Sequence, residues 1–542
     1  MSTPSSIPSP LERAGSDLRV ALALGLLHFA VSVAAVLRDT FLNNEGIFTY
    51  ISAGMMGSDP VTTLFFLKSR PPIAALYAAP AALGFDAFAI VHALVASAAI
   101  PLTAVLSRAL GQRWPNLAAA LVAASAMLLA GGASGVGNAD ALTLGVLAAV
   151  CLFAWDRPLI AGLLCALLPL ARAETTLLVI PLALHAVFRG DARVRWRFLA
   201  GLFGVGLAYA ALGALYHEDA IWFLHHPPHV THSVPFSEVM GPQMFGGDPH
   251  KVTLTLLTLT PSVGLLLFLR PRSLSHPEQA IGLFLVLFLG ILEVLPSVSP
   301  LNFGDMPRYV LPAVPFLALF ASRAIESLAE GTGRAAYFIG VAGLLGLLVV
   351  AHYQDAEHQA PALLWAVAGW SSILLLASTR YRRAVPLLVL ALSFAATPFL
   401  IDATRLTQRR DTLVLGRYLL EHASADTVVL TNVGEVPLWL ERNGGEHIEA
   451  HHLLAADQRY ELDSLASDAV GQREAVHALM RRHWYGPIVF PEEIEARLRP
   501  GTWLALRGDA RTGHILDESL LVGRSETVDL GGGVRLIKVT GP

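Results

Sequence analysis

Long apolar segments recur through the first 401 residues of this 542-residue chain, and they constrain its fold more than any other feature. A helix needs about 20 apolar residues to cross the hydrocarbon core of a bilayer. The segments that come close to this length are 18–37, 86–107, 116–131, 139–155, 158–171, 174–188, 198–216, 252–269, 279–295, 309–322, 335–352, 361–379 and 384–400. The sequence therefore predicts a polytopic α-helical membrane protein with about 13 transmembrane helices.

The composition supports this class and excludes others. Hydrophobic residues make up 54% of the chain and charged residues 15%, whereas soluble proteins carry about 25% charged residues. A disordered chain, a coiled coil and a basic nucleic-acid-binding protein are excluded, so we expect no nucleic-acid partner. Cys151 and Cys165 lie inside apolar segments and form no disulfide framework. The chain has only three lysines beside its arginines, a bias typical of bacterial proteins from GC-rich genomes.

The short segment Ile73–Gly84 decides the predicted topology. If it crossed the membrane, the arginine clusters at 189–197, 270–272 and 380–383 would lie outside. If it stays at the outer surface, these clusters lie inside, as the positive-inside rule requires. We therefore expect a cytoplasmic N-terminus, a retained first span and an extracytoplasmic C-terminus in a bacterial inner membrane.

The pattern changes at Asp402, where short β-branched runs alternate with helical periodicity. Predicted strands are Thr427–Thr431, Pro487–Phe490, Trp503–Leu506 and Val534–Val539, and predicted helices are Asp411–His422, Val436–Glu441, Gln472–Arg482 and Glu492–Leu498. This alternation predicts a small soluble α/β domain over residues 402–542, after a transmembrane domain over residues 1–401.

Charged residues near the outer surface are the candidates for chemistry. Asp39 and Glu45 lie in the first outer loop, residues 38–85, where a carboxylate with a raised pKa could act as a general base. A surface ion pair of Arg38 with Asp39 is the plain alternative. Arg172 and Arg308, with Arg70 and Lys68 behind them, have the donors that bind phosphate; anchoring to lipid headgroups is their alternative role.

Four motifs resemble those of the GT-C glycosyltransferases, such as the protein mannosyltransferases and the aminoarabinose transferase. They are Asn44–Tyr50 followed by Ser69-Arg70-Pro71-Pro72, the acidic residue Asp140 in GVGNADALTLG, Arg172-Ala173-Glu174, and Arg308-Tyr309-Val310-Leu311-Pro312. In that family the segment after the Pro-Pro pair does not span the membrane, in agreement with the charge argument.

The resemblance implies a membrane glycosyltransferase. It would transfer a sugar from a polyprenyl-phosphate-linked donor to a lipid, glycan or protein acceptor on the extracytoplasmic face. The catalytic candidates are Asp39, Glu45 and Asp140, and the substrate-binding candidates are Arg70, Arg172, Glu174, Arg308 and Tyr309. The family's acidic pair is Asn44-Glu45 here, and an amide cannot accept a proton at neutral pH. Either Glu45 or Asp39 then takes the role of the base, or the enzyme has drifted. Asp39 and Glu45 together are favoured, with Glu45 slightly ahead.

No metal site is predicted, although a divalent cation could be held by acidic loop residues. The histidine-rich loop HHPPHVTH, residues 225–232, is interpreted as a lid over the site rather than a zinc site. Two other functions stay open: a lipid or sugar transporter or flippase, and a non-catalytic membrane scaffold. Inverted halves with matching helix breaks, which transporters often show, are not evident in the sequence.

Overall fold

The computed structural model describes most of the chain. The described residues are 10–38, 41–42, 44–65, 70–222, 266, 269, 274–298, 307–330, 382–401, 410–453, 478, 482–483, 488–489, 493–507, 523–530 and 534–541. Up to residue 401 these residues form helices and connecting turns, and from residue 410 onward they form helices and a β-sheet.

Fourteen helices are described before residue 402, and several match predicted apolar segments. They are α1 (Pro10–Val36), α2 (Asn44–Ser58), α3 (Pro60–Phe65), α4 (Pro71–Ala81), α5 (Phe85–Ala109), α6 (Pro115–Ala123), α7 (Ala126–Ser134), α8 (Gly137–Phe153), α9 (Pro158–Ala171), α10 (Thr176–Phe188), α11 (Ala192–His217), α12 (His276–Val298), α13 (Val314–Glu330) and α14 (Val385–Leu400). Short 3-10 turns at Ala173–Thr175 and Pro307–Ala313 precede α10 and α13.

Among the described residues, four helical stretches are long and apolar enough to cross a membrane: Leu18–Val36, Phe85–Ala109, Ala192–His217 and Arg308–Ala329. The predicted span 116–131 is not one straight helix, because α6 and α7 meet at a bend of 58°. The Ser125 hydroxyl caps α7 there by accepting from the Leu128 N–H at 3.4 Å. Three predicted spans lie mostly or wholly outside the described residues, namely 252–269, 335–352 and 361–379. The count of thirteen transmembrane helices therefore stays a prediction.

Helix α4 follows the Pro-Pro pair and lies against α2 and α5. It has 11 residues, which at 1.5 Å per residue is about half of the bilayer core. Pro71 and Pro72 occupy its first two positions, where no backbone N–H is needed. Ile73 and Tyr77 are fully buried among the neighbouring helices. The segment is therefore too short to cross a membrane as a helix.

Helices α9 and α11 cross at a pair of glycines. A Cβ on Gly162 would lie 2.1 Å from the Phe198 carbonyl oxygen, and one on Gly201 would lie 2.3 Å from that of Leu159. Small residues at such crossings allow backbones to approach closely, as is common between membrane helices. This contact fixes α9, whose C-terminal end carries Arg172.

Residues 410–541 contain a six-stranded sheet of order β3-β2-β1-β4-β6-β5. The strands are β1 (Val428–Thr431), β2 (Glu449–Leu453), β3 (Ile488–Val489), β4 (Thr502–Arg507), β5 (Ser525–Asp529) and β6 (Val534–Val539). The first four are parallel, and β5 and β6 join at one side as antiparallel strands. Helices α15 (Arg410–His422), α16 (Val436–Arg442) and α17 (Ile494–Arg497) accompany the sheet.

Strands β2 and β5 were not predicted, because polar residues interrupt their apolar patterns. The predicted helix 472–482 lies almost wholly outside the described residues. The predicted boundary between residues 401 and 402 is not tested by these observations.

The sheet region packs directly on α2. Ile47, Ile51 and Met55 of α2 share one apolar cluster with Leu415, Trp439 and other residues of the sheet region. Arg442 of α16 pairs with Asp86 at the start of α5 and donates to the Val36 carbonyl oxygen at 3.3 Å. The sheet region thus holds one face of the helix that carries Glu45.

Candidate functional site

The Glu45 carboxylate lies at the centre of three arginines. Oε1 is 2.8 Å from Nη2 of Arg70 and 3.0 Å from Nη1 of Arg172, and Oε2 is 2.6 Å from Nε of Arg308. The contacts of Arg70 and Arg172 are charge-assisted hydrogen bonds, which are about twice as strong as neutral ones, and the contact of Arg308 is an ion pair. We name Glu45, Arg70, Arg172 and Arg308 the arginine cluster.

Each member of the arginine cluster comes from a different turn or helix end. Glu45 lies in the first turn of α2, where a negative charge is favoured by the helix dipole. Arg70 precedes α4 with a left-handed φ of 49°, and Arg172 links α9 to the 3-10 turn Ala173–Thr175. Arg308 lies in the 3-10 turn before α13. These side chains therefore meet only through the tertiary fold.

Gly46 explains how α2 reaches this position. A Cβ at Gly46 would lie 1.7 Å from the carbonyl oxygen of Ser134, the last residue of α7. Since no side chain fits there, the start of α2 can press against the end of α7 only with glycine at this position. The Glu-Gly pair of the first motif thus couples a charged group to a close backbone contact.

Glu174, Asn138 and Tyr309 extend the arginine cluster on the side of Arg172. Arg172 Nε donates to Glu174 Oε1 at 2.8 Å, and Asn138 Nδ2 donates to the same oxygen at 3.2 Å. The Tyr309 ring centre is 5.0 Å from the Arg172 guanidinium carbon and 5.6 Å from that of Arg308, distances typical of cation–π contacts. Three guanidinium groups and two carboxylates leave this group with one excess positive charge.

The electrostatics keep Glu45 ionised. Burial alone would raise the pKa of Glu45, but the charges of Arg308, Arg70 and Arg172 outweigh burial and hold this pKa well below its usual range. For Arg172, burial alone would lower the pKa, but the charges of Glu174 and Glu45 outweigh burial and raise this pKa. With all its guanidinium partners in place, Glu45 is a weak proton acceptor.

The arginine cluster is sealed on one side and open on the other. The Arg172 side chain is 7% exposed, whereas those of Arg70 and Arg308 are 19% and 25% exposed. Arg70 Nη1 is buried beside Gly137 and has no hydrogen-bond partner among the described residues. A charged ligand could therefore approach past Arg70 and Arg308 and find donors already oriented.

Asp140 lies in a second buried group, which we name the Asp140 group, with Tyr77 of α4 and His92 of α5. The Tyr77 hydroxyl donates to Asp140 Oδ1, and His92 Nε2 is 3.1 Å from Asp140 Oδ2. His92 Nδ1 lies 2.8 Å from the Gly132 carbonyl oxygen, so this nitrogen carries a proton.

Helices α4 and α8 link the Asp140 group to the arginine cluster. Arg70 and Tyr77 lie at the start and in the body of α4, and Asn138 and Asp140 share the first turns of α8. The structure shows no direct contact of Asp140 with the arginine cluster among the described residues.

Comparison with known proteins identifies solved structures with a similar fold. No family model matches the sequence, and no curated protein matches it. Two solved structures are similar over nearly the whole chain: ArnT from Cupriavidus metallidurans without ligand, and the same protein bound to undecaprenyl phosphate. Both have a TM-score of 0.55, with 13% and 11% sequence identity, and the match covers 98% of this chain and 100% of theirs.

This chain has the fold of these ArnT structures. The similarity extends over both the helical and the sheet regions, because it covers 98% of the chain. The fold and the apolar helices are those of an integral membrane protein. At these identities the similarity concerns the fold alone. The roles of individual residues depend on the contacts that the structure shows.

Within this fold, most of the predicted site residues lie together. Glu45, Arg70, Arg172, Glu174, Arg308 and Tyr309 form one connected group. Asp39, Lys68 and the histidine-rich loop lie outside the described residues, so their predicted roles stay predictions. In the described part of the chain, no set of three His, Cys, Asp or Glu residues is arranged to hold a metal ion.

Three residues were missed by sequence reasoning. Asn138 supports Glu174, and Tyr77 and His92 surround Asp140. Polar residues inside apolar helices are costly without a partner, so Tyr77 and His92 could have been noticed on that ground. Asn138 carries no such signal, because it lies beside Asp140 in a segment already regarded as an outer helix end.

Proposed function

We propose that this protein is a membrane glycosyltransferase that takes a sugar from a polyprenyl-phosphate-linked donor. The observation that carries the proposal is the convergence of Arg70, Arg172 and Arg308 on one partly exposed position within a GT-C fold. Guanidinium groups bind phosphate oxygens through fixed, paired donors. The ArnT structure with bound undecaprenyl phosphate supports a polyprenyl phosphate as the lipid partner.

The proposed reaction joins the sugar to an acceptor hydroxyl or amine. The acceptor atom forms a bond to the sugar carbon that carries the phosphate, while the bond from that carbon to the phosphate oxygen breaks. The electron pair leaves with the polyprenyl phosphate, whose charge the arginines stabilise. The acceptor proton passes to a carboxylate, for which we propose Glu45, with Asp39 as the other candidate. The acceptor is a lipid, a glycan or a protein.

We further propose that the reaction takes place on the extracytoplasmic face of a bacterial inner membrane. The sequence supports this orientation through its arginine distribution, since the positive-inside rule places the clusters near 189–197 and 380–383 in the cytoplasm. In this orientation residues 402–542 form an extracytoplasmic domain.

Ligand binding tests the first part of the proposal. Lipids that co-purify with the protein are identified by mass spectrometry, and undecaprenyl phosphate binding is measured in nanodiscs for the wild type, Arg308→Gln and Arg113→Gln. A hydrogen bond to a charged group contributes roughly 1.5–3 kcal/mol, so the loss of one such bond to the phosphate weakens lipid binding about tenfold or more. We expect this for Arg308→Gln, whereas Arg113, which contacts Trp114 at 5.4 Å, is the matched control.

Turnover tests the second part. Consumption of the co-purified lipid-linked sugar, with release of polyprenyl phosphate, is followed in membrane extracts that supply acceptors. Asp39→Asn and Glu45→Gln should each lower transfer if both carboxylates act, and unchanged transfer in both excludes a carboxylate base at these positions. Movement of lipid or sugar across vesicles without a product would favour the transporter or flippase, and equal lipid binding in all arginine variants would contradict the proposal.

A further inference from the structure

Glu45 occupies one donor nitrogen on each of the three arginines that could bind a phosphate group. Each of the three arginines directs one guanidinium nitrogen at the Glu45 carboxylate, at 2.6 to 3.0 Å. A carboxylate and a phosphate present oxygens to guanidinium groups in a similar way, and both bind arginine through parallel N–H···O contacts. The side chain of Glu45 therefore imitates a bound anion within the protein itself.

Two of the three guanidinium nitrogens of Arg172 already have a carboxylate partner. The Arg172 side chain is 7% exposed, its Nε donates to Glu174 and its Nη1 to Glu45. The Tyr309 ring is 5.0 Å from its guanidinium carbon. A phosphate that binds Arg172 through Nε or Nη1 must therefore take the place of one of the two carboxylates.

Glu45 is the carboxylate more easily exchanged. Glu174 lies two residues from Arg172 and is also held by Asn138 at 3.2 Å. Every contact described above for the Glu45 carboxylate goes to a guanidinium group, and two of these, on Arg70 and Arg308, lie on the exposed side. Once moved aside, Glu45 would still benefit from its place in the first turn of α2.

We propose that Glu45 fills the phosphate position in the donor-free protein and that the donor's phosphate displaces it. This inference rests on the proposed function. Exchange of one anion for another leaves each of the three arginines with an anionic partner in both states, so no arginine is left without a negative charge beside it. The displaced carboxylate loses its cationic neighbours, and its affinity for a proton increases only when the donor is bound. Glu45 can thus fill the phosphate position when the donor is absent and serve as the base when the donor is bound.

Two matched variants separate displacement from simple charge repulsion. Glu45→Gln and Glu174→Gln each remove one negative charge that contacts Arg172 at 3.0 Å or less. Repulsion alone predicts similar gains in undecaprenyl phosphate affinity for both. Displacement predicts a gain of about tenfold for Glu45→Gln and a gain several-fold smaller for Glu174→Gln, since only Glu45 competes for the phosphate position.

The binding is measured in nanodiscs, with uncharged undecaprenol as the control lipid. Equal gains in the two variants, or weaker binding in Glu45→Gln, would overturn the displacement. Glu45→Asp is the second variant if Glu45→Gln does not fold: its shorter side chain keeps the charge but loosens the contacts, so an intermediate gain is expected. Binding by Glu45→Asp no tighter than wild type would also overturn the inference.

The same measurements distinguish this inference from the proposed function. If the wild type does not bind undecaprenyl phosphate above undecaprenol, the proposed function fails and the displacement fails with it. If the wild type binds and Arg308→Gln loses binding, while Glu45→Gln binds no more tightly, the proposed function stands and only the displacement fails.

Discussion

The arginine cluster and the Asp140 group each contain a buried acidic residue in different surroundings. Glu45 faces three guanidinium groups, two of which are 19% and 25% exposed. Asp140 and His92 are fully buried, and Asp140 accepts a hydrogen bond from the Tyr77 phenol and lies 3.1 Å from an imidazole nitrogen of His92. Fixed positive charges near solvent can exchange one anion for another, whereas a sealed group loses its hydrogen bonds if it moves. The first arrangement is suited to binding a charged substrate, and the second to joining α4, α5 and α8.

The largest expected effect is at Arg172. Arg172→Gln removes the buried cation shared by Glu45 and Glu174, and breaking a buried ion pair costs about 3–5 kcal/mol of stability. Arg172→Lys keeps the charge but loses the planar fork, so its unfolding temperature should lie between those of wild type and Arg172→Gln. Thermal unfolding in detergent measures this order. Equal stability of all three proteins would show that the arginine cluster does not stabilise the fold.

The next effect concerns Gly46. In Gly46→Ala the new methyl group meets the Ser134 carbonyl oxygen, so α2 must shift. Overpacking of this kind costs about 1–3 kcal/mol, and we expect weaker binding of undecaprenyl phosphate because Glu45 and the arginines move apart. Gly204→Ala is the control, since among the described residues nothing beyond its own helix backbone lies within 4 Å of its Cβ position. If both variants unfold at the same temperature, the close contact is not as tight as described.

A smaller effect distinguishes a structural from a catalytic Asp140. Asp140→Ala leaves the Tyr77 hydroxyl without its acceptor, which costs about 1–3 kcal/mol. In Asp140→Asn the amide can accept from Tyr77 and donate to a neutral His92, so most of this stability should return. Unfolding temperature and undecaprenyl phosphate binding are measured for both. Wild-type stability of Asp140→Asn together with lost sugar transfer would instead support the predicted catalytic role.

The smallest effect is the pH dependence of the arginine cluster. The pKa of Glu45 is depressed in the folded protein, so its ion pairs contribute full stability above the ordinary pKa of 4.5 and lose it as the pH falls toward the folded value. The difference in unfolding temperature between wild type and Glu45→Gln should be constant from pH 8 to about pH 5 and shrink below it. A difference that already shrinks between pH 8 and pH 6 would contradict an ionised, arginine-bound Glu45.

Several features were predictable from the sequence because they depend on local physics. Hydropathy identified the apolar helices, and the Pro-Pro pair with its short apolar segment indicated α4. The arginine cluster was anticipated as a set of outer-surface residues by charge and by motif. Strands β2 and β5 were missed, because cross-strand partners rather than their own residues make them strands.

The sequence by itself determined which segments are apolar helices and which charged residues stand beside them, since both follow from neighbours within a few turns. Only the tertiary structure decided that Glu45 meets Arg70 and Arg172, residues 25 and 127 positions away. It also decided that Asp140 lies with Tyr77 and His92 instead. Contacts of this kind depend on how helices pack, and at Gly46 that packing depends on the absence of a single side chain.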